Sequence, residues 1–495
     1  MSYDYDVIVV GSGAGGGSVA YKLTKAGLKV ALLDTGSAYN SDQFNRFELD
    51  AIRKLWWKPQ WTTNFELNGG KSVDEINLGG GRVVGGGTTI FTAVAHRAPN
   101  ENFDDWSNAT GLKNENSEPF SYRDVESHYD RVEGETGVRK YTDWDLGVQR
   151  LKEGYSKLGI EIEAVNAYID QNCDHNGCIF GCPTGSKKGS LLSYIIPGIY
   201  DGLTLYQNSF VEEVLIRKSS SGKPLEAYGV KYSNNGEIKQ ITAKIVIVSA
   251  GALQTPQLLL KSKIRELADY SGSSMRIGEN MAVNTNTFVF GKFKETLNNW
   301  LIHPLSAHVT EFSLEKNGGF ILEMSEIMDG PLGFSEVILD NDSRPMIGKE
   351  LTNALKHYKN MAGVLIAIHD HNDGRIFIDE GGNVKYHKPV TGSDRDKFSR
   401  ARKLVDEAFY AAGAEETYGA IYISHHPQGT CAAGEDRNKS VVDSNLESHD
   451  VGRLFACDAS VFPSIIDANP SLTIYAMADI LADYLAKRCG YLKPQ

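Results

Sequence analysis

Cysteine is scarce in this 495-residue chain: six residues, too few for the dense disulfide framework that small secreted domains use in place of a large core. Cys431, Cys457 and Cys489 stand alone in apolar or mixed surroundings and read as ordinary buried thiols. Long apolar runs are missing too. The chain has no stretch of about 18 consecutive apolar residues, so no membrane span is expected. From Met1 the sequence passes through Asp4 and Asp6 directly into a short apolar strand, without the n-region, h-region and cleavage site of a secretory signal. A cytoplasmic location is therefore expected. Lys and Arg number 51 against 63 Asp and Glu, for a net charge of −12, and no basic stripe interrupts that excess. A phosphate backbone would find little to bind, so nucleic acid is not an expected partner. Internal repeats and low-complexity tracts are also lacking.

Glycine is plentiful instead, with 50 residues concentrated in tight runs. The hydrophobic fraction of 41% and charged fraction of 23% are those of a soluble globular protein, and the length predicts two connected domains. Residues 5–10 form a β-branched run, 15–26 an amphipathic helix and 29–34 a second apolar strand, which together make a βαβ unit. A polar and aromatic stretch over 35–73 contains Trp56, Trp57 and Trp61. Charged helix and loop sequence fills 99–181. Strands are predicted at 205–216, 226–232 and 244–249, with Ser219-Ser220-Ser221-Gly222 turning between the first two. Over 288–423 alternating segments at 320–324, 362–369 and 375–378 and a helix at 394–412 predict a second domain with its own sheet.

The turn between the first strand and helix reads Gly11-Ser12-Gly13-Ala14-Gly15-Gly16, and Asp34 ends the next strand. Strand, helix and acid are in register for dinucleotide binding. Gly11 permits the tight turn, Gly13 lets backbone approach a pyrophosphate, Gly16 lets helix and strand pack, and Asp34 holds ribose hydroxyls. This pattern does not by itself separate FAD from NAD.

Four further segments are distinctive: Gly79-Gly80-Gly81-Arg82-Val83-Val84-Gly85-Gly86-Gly87-Thr88-Thr89, Gly251-Ala252-Leu253-Gln254-Thr255-Pro256, His425-His426-Pro427-Gln428-Gly429-Thr430, and Asp458-Ala459-Ser460 with Asn469-Pro470. Together they resemble, in order and across nearly the whole chain, the signatures of the glucose-methanol-choline oxidoreductases. The resemblance implies an α/β fold: a Rossmann-like FAD-binding domain drawn from residues 1–98, 191–287 and 424–495, a helical and loop insertion with a cysteine cluster at 99–190, and a sheet-containing substrate-binding domain at 288–423. It implies FAD contacts at Gly11, Gly13, Ala14, Gly16, Asp34, Gly85, Gly86, Thr88, Val211, Ala250, Gly251, Asp458, Ala459, Asn469, Pro470 and Thr473. Some members attach FAD through a histidine after the second glycine run; Ile90 followed by Phe91 stands there, so non-covalent FAD is expected.

In the resembled mechanism His426 takes the hydroxyl proton of an alcohol or sugar while hydride passes to flavin N5, and Asn469 holds the substrate oxygen. Imidazole suits the first role because it titrates near neutral pH. Asn469 is also expected to cap a helix starting at Pro470. His425 either lines the pocket, stands behind it or faces solvent. Cys173, Cys178 and Cys182 lie within ten residues, and four readings compete: an iron–sulfur cluster, structural thiols or a disulfide, a zinc site completed by His175, or redox regulation. Function is expected to be that of an alcohol or sugar dehydrogenase with an external electron acceptor. An oxidase producing hydrogen peroxide is the first alternative, and a non-redox lyase retaining FAD the second. Trp300, His303, His308 and Tyr422 would suit carbohydrate, and would equally suit an ordinary surface.

Overall fold

The apolar run at the N-terminus folds into the predicted βαβ unit, β1 (Tyr5–Val10), α1 (Ala14–Lys25) and β2 (Val30–Leu33). The computed structural model describes residues 3–57, 61–62, 75–173, 177–219, 222–268, 272–299, 305–325, 330–340 and 343–489. The side chain of Trp61 and all of residues 58–60, 63–74, 174–176, 220–221 and 300–304 lie outside them, and with them His175, Trp300, His303 and part of the Ser219–Gly222 turn. β1 pairs in parallel with β2 on one side and with the strand Glu237–Val248 on the other. Thr204–Tyr206 and Leu454–Ala456 extend this parallel sheet beyond β2 and Glu237–Val248. Val7, Ile8, Val9 and the whole of β2 are fully buried, which is why these strands read as unbroken apolar runs and not as alternating ones.

Glu237–Val248 serves two ladders. Its first half pairs antiparallel with Leu225–Asn234, which pairs in turn with Ser209–Lys218, and its second half joins the parallel sheet. The strand predicted over 205–216 is two strands instead, because Asn208 takes a left-handed conformation, φ 54°, and donates its N–H to Gly36 O at 2.9 Å.

A second sheet forms from the predicted segments at 320–324 and 362–369, but Arg375–Ile378 stays outside it and pairs with Val384–His387 in a separate hairpin. The second sheet's central strands Asn286–Lys292, Met361–Ile368 and Phe320–Ser325 run antiparallel, with Leu305–Val309 beyond them. Period-two alternation gives the sheet two faces. Val289, Val364 and Ile366 pack on Val148, Leu151, Phe398, Val405 and Phe409 of the helices Leu146–Lys157 and Gly392–Ala412. Phe288, Phe290, Leu365 and Ala367 face the other way, into the larger core shared with the parallel sheet.

Segments outside 288–423 complete this sheet. Glu163–Ala164, within the stretch expected to be helix and loop, pairs with Leu305–Val309, and Asn77–Leu78 pairs with Ile423–Ser424 at the other side. The chain therefore crosses between the sheets more often than five consecutive segments suggest. Among the described residues no helix is long and apolar enough to cross a membrane.

Candidate active site

Where β1, β2 and Glu237–Val248 end, their carboxyl-terminal residues open onto a cavity of about 820 Å3, within the usual range of small-molecule sites. Its walls come from both sheets. Gly11, Gly13, Ala14, Asp34, Gly86, Thr88, Val211, Ala250, Gly251, Asp458, Ala459, Asn469 and Pro470 all line it, so residues far apart in sequence share one space. Gly16, Gly85 and Thr473 do not line it. Gly16 has a packing role, since a Cβ there would stand 1.9 Å from Gly11 O. Gly85 turns the second glycine loop and donates its N–H to Ser12 Oγ at 2.8 Å. Thr473 is fully buried, its hydroxyl 2.7 Å from Tyr129 Oη.

The cavity suits FAD. A Cβ on Gly13 or Gly87 would meet nothing within 4 Å, so backbone there borders open space, and α1 carries no acidic residue in its first turn. The positive end of the helix is thus free for an anionic pyrophosphate. Gly11 has φ +95°, and Ser249 O lies 2.2 Å from where its Cβ would be, a position only glycine fills. Asp34 plays a part that sequence reasoning missed. Its Oδ2 accepts from Ser12 N at 3.0 Å and Ser12 Oγ at 2.5 Å, and its Oδ1 from Gly36 N at 2.7 Å. Through Ser12 it locks one glycine loop to the other, besides lining the cavity where ribose hydroxyls are expected. Asp458 does similar work opposite, accepting from Gly251 N at 2.9 Å, Thr255 Oγ1 at 2.6 Å and Ser460 N at 2.8 Å.

His426 lines the same cavity. Its backbone N–H donates to Ser424 Oγ at 3.0 Å, and Ser424 belongs to a strand hydrogen-bonded into the second sheet. Its Nδ1 is buried without a hydrogen-bond partner. Burial, with His425 adding to it, pushes the imidazole down to about 3, so the ring is neutral at physiological pH. His425 lines the cavity as well, packed edge-on to Trp56 at 5.5 Å between ring centroids. Gly79 makes room for it: a Cβ there would come within 2.5 Å of the His425 ring, and Gly79 N donates to Ser424 O at 3.1 Å.

Asn469 does not cap the closing helix. That helix runs Ser471–Arg488 with Pro470 in the capping position and no side-chain cap. Asn469 instead lines the cavity together with Glu323. The loop before it is anchored by Asp467, which holds His369 Nδ1 at 2.7 Å and Asn102 Nδ2 at 2.8 Å. Glu323 lines the cavity, and His308 is its cross-strand partner. The rings of His96 and His308 lie 4.4 Å apart. Sequence reasoning missed Glu323 and His96; the available signal was one acid within an otherwise apolar strand and one imidazole within the apolar run after the second glycine loop.

The cysteine segment borders the site. Among the described residues Cys173, Cys178 and Cys182 form no disulfide, and Ile179 and Phe180 between them line the cavity. Among the described residues the group able to hold a metal is His128, Asp479 and Asp483, not these thiols, so the iron–sulfur expectation gains no support. Lys22 and Arg131 already pair with the Asp479 carboxylate. Lys187, unnoticed in the sequence, anchors the cysteine segment: its buried ammonium donates to Thr89 O at 2.7 Å, Phe91 O at 3.1 Å and Cys178 O at 2.5 Å.

Comparison with known proteins agrees with this architecture. A long-chain-alcohol oxidase of Arabidopsis thaliana is 25% identical over 97% of this chain and 68% of its own length. A second one from the same plant is 26% identical, and the chain spans 66% of it. Paromamine 6'-oxidase of Streptomyces fradiae is 24% identical over 96% of this chain and 90% of its own. Among solved structures, pyridoxine 4-oxidase from Mesorbium loti superposes with a TM-score of 0.74 at 17% identity, covering 97% of this chain and 98% of that one, a likeness of fold. Family profiles described as GMC oxidoreductase match residues 5–286 and 364–478, more than half of the sequence. With its glycine loops, neutral histidine and asparagine gathered on one cavity, the chain belongs to the GMC oxidoreductases, FAD-dependent enzymes acting on CH–OH groups.

Proposed function

We propose that this enzyme holds FAD non-covalently and oxidises the CH–OH group of an alcohol with a substantial hydrocarbon part, passing the electrons to oxygen. The observation that carries the reading is the convergence of both glycine loops, neutral His426 and Asn469 on one cavity. When bound, FAD supplies the hydride acceptor. His426 accepts the hydroxyl proton, which its buried imidazole lacks. Asn469 offers an uncharged hydrogen bond to the substrate oxygen, and the surrounding apolar wall keeps water from competing.

Phe91, Phe288, Leu305, Leu365 and Ile421 form that wall, favouring a hydrocarbon over a sugar. Tyr422, expected to suit carbohydrate, stacks on Phe398 at 4.8 Å, and neither it nor buried His308 lines the cavity. The relatives named above are oxidases, which supports oxygen as acceptor in place of the dehydrogenase expected from sequence. Ile90 in the cavity wall offers no atom to bond the flavin covalently.

Anaerobic mixing of the yellow holoprotein with fatty alcohols, sterols, polyols and aldoses tests this. Bleaching by fatty alcohols, and rapid recovery with hydrogen peroxide on admitting air, is the expected result. Bleaching by aldoses alone would overturn the substrate reading. Slow recovery in air would make the enzyme a dehydrogenase, and substrate cleavage without bleaching would make it a lyase. Colour retained in an acid precipitate would overturn non-covalent binding.

A further inference from the structure

The helix Glu48–Leu55 stands between the cavity and solvent. Phe47 and Leu49 are 74% and 57% exposed, while Ala51 and Leu55 are buried on Val83, Ile90 and Phe180. Glu48, Ile52 and Trp56 follow one another at helical spacing, and all three line the cavity. This stripe starts beside the catalytic histidine, since the Trp56 ring lies 5.5 Å from that of His425, the neighbour of His426. It ends at Glu48, eight residues of helix away, or about 12 Å along the axis.

The helix Pro331–Val337 adds Gly333 and Val337 to the same cavity, and its Phe334 packs on Phe290 of the second sheet, 5.1 Å between ring centroids. Glu48 joins the two helices. Its Oε1 accepts from Leu332 N at 3.0 Å and Gly333 N at 2.9 Å, with Oε2 3.1 Å from Leu332 N. Gly330 leaves room for this bridge: a Cβ there would stand 2.2 Å from Glu48 Cδ, although the backbone, φ −176°, is extended and open to any residue.

We propose that the stripe from Trp56 to Glu48 holds the hydrocarbon part of the substrate, and that the Glu48 bridge closes its end and so limits the length of alcohol the enzyme accepts. A chain that stops short of Glu48 buries its methylenes on Ile52, Trp56 and Val337, which is favourable. A longer chain must press methylenes against a carboxyl group or part the bridge, stranding two N–H groups. Either is costly. Glu48 is a specificity-determining residue in this scheme, with no part in proton or hydride transfer. The inference rests on the function proposed above for a substrate with a hydrocarbon part.

Anaerobic flavin reduction by octanol and by dodecanol, whose extended chain outruns the stripe, tests it. Glu48→Ala is expected to raise the dodecanol-to-octanol ratio of second-order reduction rates about tenfold, the scale on which apolar pockets discriminate chain length. An unchanged ratio would overturn the proposal. Gly330→Ala drives a methyl onto the Glu48 carboxyl and is expected to raise the ratio too; an unmoved ratio there counts against the bridge even if Glu48→Ala fails to fold. With Glu48→Ala already present the methyl has nothing to displace, so adding Gly330→Ala should change the ratio by less than about twofold. Equal rises in both backgrounds refute the contact. Glu48→Gln keeps an acceptor oxygen and should keep the parent's ratio; a ratio as high as that of alanine would overturn the bridge. Binding gives a readout without turnover. Octanamide and dodecanamide have no carbinol hydrogen, and their dissociation constants, read from the flavin absorbance change, should shift in favour of dodecanamide in Glu48→Ala. If no alcohol reduces the parent flavin, the proposed function falls while the amide ratio still judges the bridge, and failure of both amides to bind would overturn the compartment itself.

Discussion

Glu323 makes a quantitative prediction about stability. Burial raises its carboxyl from 4.5 to about 7, with Asn469 only partly opposing the rise. For an acid whose folded value lies above its unfolded one, the native state holds the proton longer, so stability falls as pH climbs from about 4.5 to about 7 and is level outside that window. A shift of this size is worth about 3 kcal/mol at pH values above 7. Glu323→Gln is permanently neutral and escapes the loss. The variant is therefore expected to gain about 3 kcal/mol on the parent between about pH 4.5 and about pH 8, read as a growing difference between their urea unfolding free energies. Contributions from His96, His308 and His426 are common to both proteins and cancel in that difference. Any pH-independent effect of the amide cancels as well. Parallel stability curves across the window would show that Glu323 does not titrate there.

Three other expectations follow from the same geometry. His426→Gln should slow flavin reduction by about two to four orders of magnitude with FAD content unchanged, measured by stopped flow and absorbance; unaltered rates would remove His426 from proton transfer. Gly79→Ala drives a methyl against the His425 ring and should destabilise the fold by about 1–3 kcal/mol while lowering activity, and a variant of full activity and stability would refute the tight fit. Asp479, fully buried between Lys22, His128 and Arg131, has its carboxyl held below the usual value despite desolvation. Asp479→Asn should cost about 3 kcal/mol at neutral pH by leaving Lys22 short of a partner. Because the folded value is depressed, the stabilisation is present above about pH 4 and vanishes as pH falls through the native value, so the parent and variant unfolding curves should converge in acid.

The glycine loops and the first strands were readable because their causes are local. A turn that only Gly11 can make and strands buried on both faces leave their mark within a few consecutive residues. The order of the signature segments likewise led to His426 and Asn469. What could not be read depends on partners distant in sequence. Asp34 locks Ser12 and Gly36 because β2 ends beside the first loop, and Lys187 reaches Thr89 and Phe91 from 98 and 96 residues away. Glu323 acquires meaning only once its strand places it in the cavity that Asn469, far along the chain, also lines. Proline misled at Asn469: Pro470 suits the first turn of a helix, yet here it takes the capping position itself and Asn469 falls one residue outside.

The walls of the cavity run in sequence from Val10 to Ile474, and Asn469 and Pro470 belong to the last of them. During synthesis the early glycine loops therefore emerge long before the residues that close the site around a flavin. Until then a nascent chain presents half a cradle, and cofactor capture becomes a late event of biogenesis, coupled to docking of Ser471–Arg488 against α1.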